Sequence, residues 1–141
     1  MSGRITALLS NVLTTCIVSA GMTRADQGPI ERSALVGTYV LNRGEASDVI
    51  EVMADGTYVH SYKTTGGVTH TGQNRWYLEP LDGEERITFK GFVFALPGRG
   101  TGGRRSFWNV AIERVAGSIR FGIDEDLGLW YQKQPPDSPT R

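Results

Sequence analysis

Glu51-Val52-Met53-Ala54-Asp55-Gly56-Thr57-Tyr58-Val59-His60-Ser61-Tyr62-Lys63-Thr64-Thr65-Gly66-Gly67-Val68 is the stretch whose reading decides the fold. Asp55-Gly56 is a strong two-residue hairpin signal, and Gly66-Gly67 reads as a second one. Pairing about the first sets Met53 opposite Tyr58 and Glu51 opposite His60. Pairing about the second sets His60 opposite Gln73 and Tyr58 opposite Arg75. Consecutive short hairpins make an antiparallel meander.

Outward from this stretch, short runs rich in Val, Ile, Tyr, Phe and Trp are divided by glycine and aspartate turns. Strands are expected near 36–42, 47–54, 57–64, 68–78, 85–90, 92–96, 105–113, 118–123 and 127–133. One helical turn is expected at 29–33, and no long helical spacing follows Leu35. An open meander this small would expose an apolar face and two edges, and closure removes both problems. The expected class is therefore all-β, a single antiparallel meander closed into a barrel of eight or nine strands over roughly 100 residues. A two-sheet β-sandwich is the alternative, because sequence does not reveal closure.

The chain has 141 residues, enough for one small domain. Cys16 is the only cysteine, which excludes a disulfide-stapled scaffold. Only His60 and His70 supplement it as soft ligands, so zinc sites of the all-cysteine or Cys/His finger kinds are excluded.

Arg4, the uncharged stretch 5–23, and small residues at Ala20 and Ala25 have the layout of a secretory signal. We expect residues 1–25 as signal segment, 26–34 as lead-in, 35–133 as barrel domain and 134–141 as a disordered C-terminal tail. The expected location is the periplasm or the exterior. Leu13-Thr14-Thr15-Cys16 resembles a bacterial lipoprotein signal, which makes lipid anchoring through Cys16 the alternative. Without residues 1–25 the chain holds 13 basic and 15 acidic residues, a net charge of −2. That balance gives no electrostatic reason to bind nucleic acid.

Leu35-Val36-Gly37-Thr38-Tyr39 resembles the opening strand of lipocalin-like proteins. Ala54-Asp55-Gly56-Thr57-Tyr58 is similar to their aspartate-glycine hairpin followed by an aromatic. Gly72-Gln73-Asn74-Arg75-Trp76-Tyr77 and Gly128-Leu129-Trp130-Tyr131-Gln132-Lys133 resemble strands of small bacterial lipocalin-like, or calycin-like, domains. The resemblance covers residues 35–133 and implies a lipocalin-like barrel. Tyr39 stands where lipocalins carry a tryptophan. Aromatic residues spread over nearly every strand would fill much of so small a barrel, leaving room for a shallow pocket at one end.

Two groups of candidate binding residues follow. In the hairpin register above, Glu51, His60 and Gln73 lie side by side, and Tyr58, Tyr62 and Arg75 share their face. A carboxylate beside a histidine orients it or raises its pKa. The second group is Arg99, Arg104 and Arg105 in the glycine-rich segment 97–105, expected as a mobile rim loop. Arginines there suit a phosphate, a carboxylate or an anionic surface. The segment lacks the terminal Lys-Ser/Thr of a phosphate-binding loop. The acidic run Asp124/Glu125/Asp126 lacks the ligand spacing of a calcium loop. No cofactor and no metal are expected. The expected function is an exported, non-enzymatic lipocalin-like domain for a small ligand or an envelope protein. One alternative is a protein-inhibiting or envelope-interaction module acting through 97–105. Another is a small enzyme using His60 with Glu51.

Overall fold

The computed structural model describes residues 28–43, 46–64, 67–96, 100–104, 107–124 and 126–136. Residues 1–25, expected as a signal segment and holding Cys16, and likewise Arg99, Arg105 and residues 137–141 lie outside the described residues. After α1 (Arg32–Leu35) come β1 (Gly37–Arg43), β2 (Ala46–Val52), β3 (Thr57–Thr64), β4 (Gly67–Leu81) and β5 (Glu84–Lys90). β6 (Val93–Leu96), β7 (Gly100–Arg104), β8 (Phe107–Val115), β9 (Ser118–Asp124) and β10 (Leu129–Lys133) complete the chain. Eight strands close a barrel in the order β1-β10-β9-β8-β5-β4-β3-β2, and every pair is antiparallel. This is the expected all-β barrel; the sandwich is excluded. β6 and β7 form a separate two-stranded hairpin inserted between β5 and β8.

The expected hairpin geometry is corrected at both turns of the deciding stretch. Met53 N donates to Thr57 O (2.9 Å), and Gly56 N donates to Met53 O (3.2 Å). The loop is thus three residues, Ala54-Asp55-Gly56, with positive φ at Gly56 (89°) and not at Asp55. Such a turn ends in a left-handed glycine and shifts the register by one residue. Asp55 serves it through its carboxylate, which accepts from Thr57 N (2.9 Å) and Thr57 Oγ1 (2.7 Å). His60 consequently pairs with Ile50, Tyr58 with Val52, and Glu51 with Val59. At the second turn Thr64 pairs with Gly67, and an irregularity follows between Tyr62 and Lys63. His60 then faces Gly72, and Tyr58 faces Asn74. Two-residue turns with positive φ at both positions occur elsewhere, at Asp82-Gly83 (52°, 78°) and Ala116-Gly117 (48°, 79°).

A one-residue slip moves a whole side-chain set to the other face. Tyr58, His60 and Tyr62 point into the barrel and are buried. Glu51, Gln73 and Arg75 are exposed. β8 shows the same period-2 alternation, with Trp108, Val110 and Ile112 inward.

The core is aromatic. Tyr39 stacks on Phe121 (centroids 4.3 Å apart), and Phe89 stacks on Trp108 (5.4 Å). Phe92, on the way into the inserted hairpin, is fully buried and packs on Trp108 (4.5 Å). These rings pack together in the hydrophobic core of the barrel. The lead-in residue Ile30 joins the core, as does Leu35, whose carbonyl accepts from Tyr39 Oη (2.7 Å). The Arg32 guanidinium lies 4.2 Å over Trp76, whose Nε1 donates to Met53 O (2.9 Å). The expected helical turn thus lies at Arg32–Leu35 and packs where the β2–β3 turn also lies.

Candidate functional site

β2 and β3 bring an acid and an imidazole together inside the barrel. Asp48 and His60 both stand at inward positions, one step apart on the diagonal of the register. His60 Nε2 lies 2.6 Å from Asp48 Oδ1, and both residues are 1% exposed. A carboxylate only accepts, so the proton between them belongs to Nε2. Tyr131 on β10 places its hydroxyl 3.5 Å from the same nitrogen. Phe92 stacks on the imidazole face, centroids 4.4 Å apart and 17° from parallel. The ring is therefore fixed by an acid at one edge and an aromatic on one face. His60 Nδ1 and Asp48 Oδ2 are buried with no hydrogen-bond partner among the described residues.

A cavity of about 310 Å³ adjoins this pair, lined by Tyr58, His60, His70, Gly72, Gln73, Asn74, Gly91 and Val93. Gly72 keeps it open: a Cβ there would sit 3.0 Å from His70 Nε2. The His70 ring stands 5.5 Å from that of His60. Burial, and then the neighbouring His60, hold the His70 pKa below its ordinary value of 6.5. His70 is accordingly a neutral donor and acceptor at neutral pH. Tyr58 Oη donates to Lys90 O (2.8 Å), which anchors the wall of the cavity to the end of β5.

A second depression of about 400 Å³ lies on the wall at β8 and β9. Their ladder runs from Val115↔Ser118 only to Ile112↔Phe121. Its polar side chains bond to one another: Arg86 to Asn109 and to Glu84 (3.2 Å), and Arg120 to Glu113 (2.9 Å).

The structure thus divides the sequence candidates. Tyr58 and His60 line the cavity, and Tyr62 is buried on the same inward face. Gln73 borders the cavity from an exposed position. Glu51 is on the outer surface and is not the partner of His60; that acid is Asp48. Arg75 pairs with Thr57 and is exposed. Arg104 belongs to β7, opposite Val93, so Gly100–Arg104 is a strand where a mobile loop was expected. Sequence reasoning missed Asp48, His70 and Phe92. The available signal was parity: Asp48, Ile50 and Val52 alternate on one face, and a charge among inward apolar positions marks a site.

Among the described residues, no group of three or more His, Cys, Asp or Glu side chains could hold a metal. No family model, no curated protein and no solved structure matches this chain. The architecture is a closed eight-stranded antiparallel barrel, a general scaffold for small-ligand binding.

Proposed function

We propose that this chain is an exported, non-enzymatic, lipocalin-like barrel that binds a small molecule in the cavity beside His60. One observation carries the reading: a 1% exposed imidazole lines a cavity while one of its nitrogens lacks a partner. Leaving a buried polar group unsatisfied costs about 1–3 kcal/mol. Folded proteins retain few such groups, and this one belongs to a ring that lines the cavity. The cavity adds convergent polar groups from β3 and β4 and a hydrophobic wall from Val93. Its volume is at the small end of ligand sites, which span about 300–1,000 Å³. Export rests on the layout of residues 1–25.

Two measurements test the reading. N-terminal sequencing of protein made in a Gram-negative host should find a mature chain starting near Gly21 or Asp26. An intact Met1 in the cytoplasmic fraction refutes export. A fragment screen followed by NMR should move the ring resonances of His60 and His70 together. A screen that leaves both unmoved refutes ligand binding at this cavity.

A further inference from the structure

We infer that the split between β8 and β9 is a docking edge for an extended peptide segment of a partner protein, which adds to β8 as a further antiparallel strand over Phe107–Ala111. On its β5 side this stretch is paired residue by residue, from Lys90↔Phe107 to Arg86↔Ala111. On its other side the ladder with β9 stops at Ile112↔Phe121, and among the described residues no strand pairs there with Phe107–Ala111. Beyond Phe121, β9 is paired with β10 alone, through Gly122↔Trp130 and Asp124↔Leu129. Alternate residues of a strand aim their N–H and C=O groups at opposite neighbours, so Phe107–Ala111 turns part of its backbone toward the split.

The depression of about 400 Å³ at this split shares no lining residue with the cavity beside His60. Among its lining, Val110, Ala111, Gly122 and Ile123 have no polar side-chain atom, so their only hydrogen-bonding groups are main-chain. Trp108 and Val110 point into the core and are 8% and 7% exposed. The polar side chains of the lining already hold one another or a neighbour: Arg86 with Asn109 and Glu84, and Glu113 with Arg120. A ligand that satisfies what is left carries donors and acceptors at strand spacing, and that is a peptide backbone. Native proteins guard open edges with charge or proline. Phe-Trp-Asn-Val-Ala at 107–111 carries neither. The side chains set the sequence of the guest. Phe107, outward and 57% exposed at the open end of the split, takes an apolar residue across the pair. Trp108, stacked on Phe89 and Phe92 behind the strand, leaves the inward positions to small residues.

The test uses the intact protein and the peptide acetyl-Thr-Ala-Thr-Ala-Phe-amide, followed by NMR titration and amide hydrogen exchange. In the free protein, alternate amides of Phe107–Ala111 should exchange fast, and the rest, held by β5, slowly. The peptide should bind one to one and protect the fast set. Two N-methylated analogues, each blocking one alternate set of peptide amides, keep the side chains and remove donors. We expect the analogue blocked on the side facing β8 to bind about tenfold more weakly, the worth of one or two net hydrogen bonds. Phe107→Ser, a surface change, should leave folding intact and weaken the parent peptide severalfold. Slow exchange of every amide of Phe107–Ala111 in the free protein overturns the inference, since the edge is then covered by the chain itself or by a second copy. Equal affinity of the parent and both analogues overturns it too, because the contact is then one of side chains alone. A peptide that protects none of the fast amides likewise overturns it.

Discussion

His60 and Asp48, each 1% exposed, meet at 2.6 Å inside a barrel otherwise filled with aromatic rings. Removing one member of such a pair strands a charge or an imidazole in the core. Asp48→Ala should destabilise by about 3–5 kcal/mol, whereas replacing both, as Asp48→Leu with His60→Phe, should be neutral or stabilising. Urea melts of Asp48→Leu, His60→Phe and the double variant measure this as a coupling energy. A double variant as unstable as the sum of the singles would mean that the pair holds the barrel together.

Gly56 ends the β2–β3 loop at φ 89°, and its carbonyl accepts from Trp76 N at 2.9 Å. Gly56→Val should cost about 1–2 kcal/mol, from the left-handed backbone that a branched residue resists. A urea melt checks it. The same substitution at Ala54, which has no positive φ, should cost less than half as much.

His70 supplies the pH dependence. Its folded pKa lies below the ordinary 6.5 because burial and His60 disfavour its charged form. Between that depressed value and 6.5 the unfolded chain binds more protons than the folded one, so stability there rises with pH. The contribution is complete above 6.5 and is lost as pH falls through the folded pKa. His70→Gln should flatten this part of the profile in urea melts run from about pH 7.5 to about pH 5. An unchanged slope would place His70 in free solvent.

Arg32 reaches from α1 over Trp76 at 4.2 Å. Arg32→Ala should destabilise by about 0.5–1 kcal/mol, the worth of an exposed cation–π contact. Arg32→Lys should recover only part of that, since the guanidinium plane is lost. Thermal melts of both variants give the comparison.

The barrel was legible because its turns and aromatic runs are local signals. The sequence correctly placed β3 at 57–64 to the residue, and the other barrel strands to within a few. The site was harder, because it depends on register. Asp55-Gly56 fits a two-residue turn as well as a three-residue loop, and the difference of one residue moves Glu51 outward and brings Asp48 diagonally beside His60. Asp82-Gly83, an equivalent dipeptide, does form the two-residue turn. What separates them is Thr57, whose amide and hydroxyl both bond Asp55 and favour the longer loop. The contact of Phe92 with His60 depends on the inserted hairpin, a pairing between segments that carry no mutual signal.

Gly72 lines the cavity opposite His60, and any side chain there grows toward His70, within 3.0 Å at the first carbon. The most direct test of ligand binding at this place is calorimetric titration of the best fragment into wild-type protein and Gly72→Leu. Val93→Trp, which blocks the cavity from the facing segment, serves as a second variant should the first fail to fold. One-to-one binding is expected in the wild type, with a loss of at least tenfold in affinity in a variant that still melts cooperatively. Equal affinity in the wild type and a folded, blocked variant would contradict it.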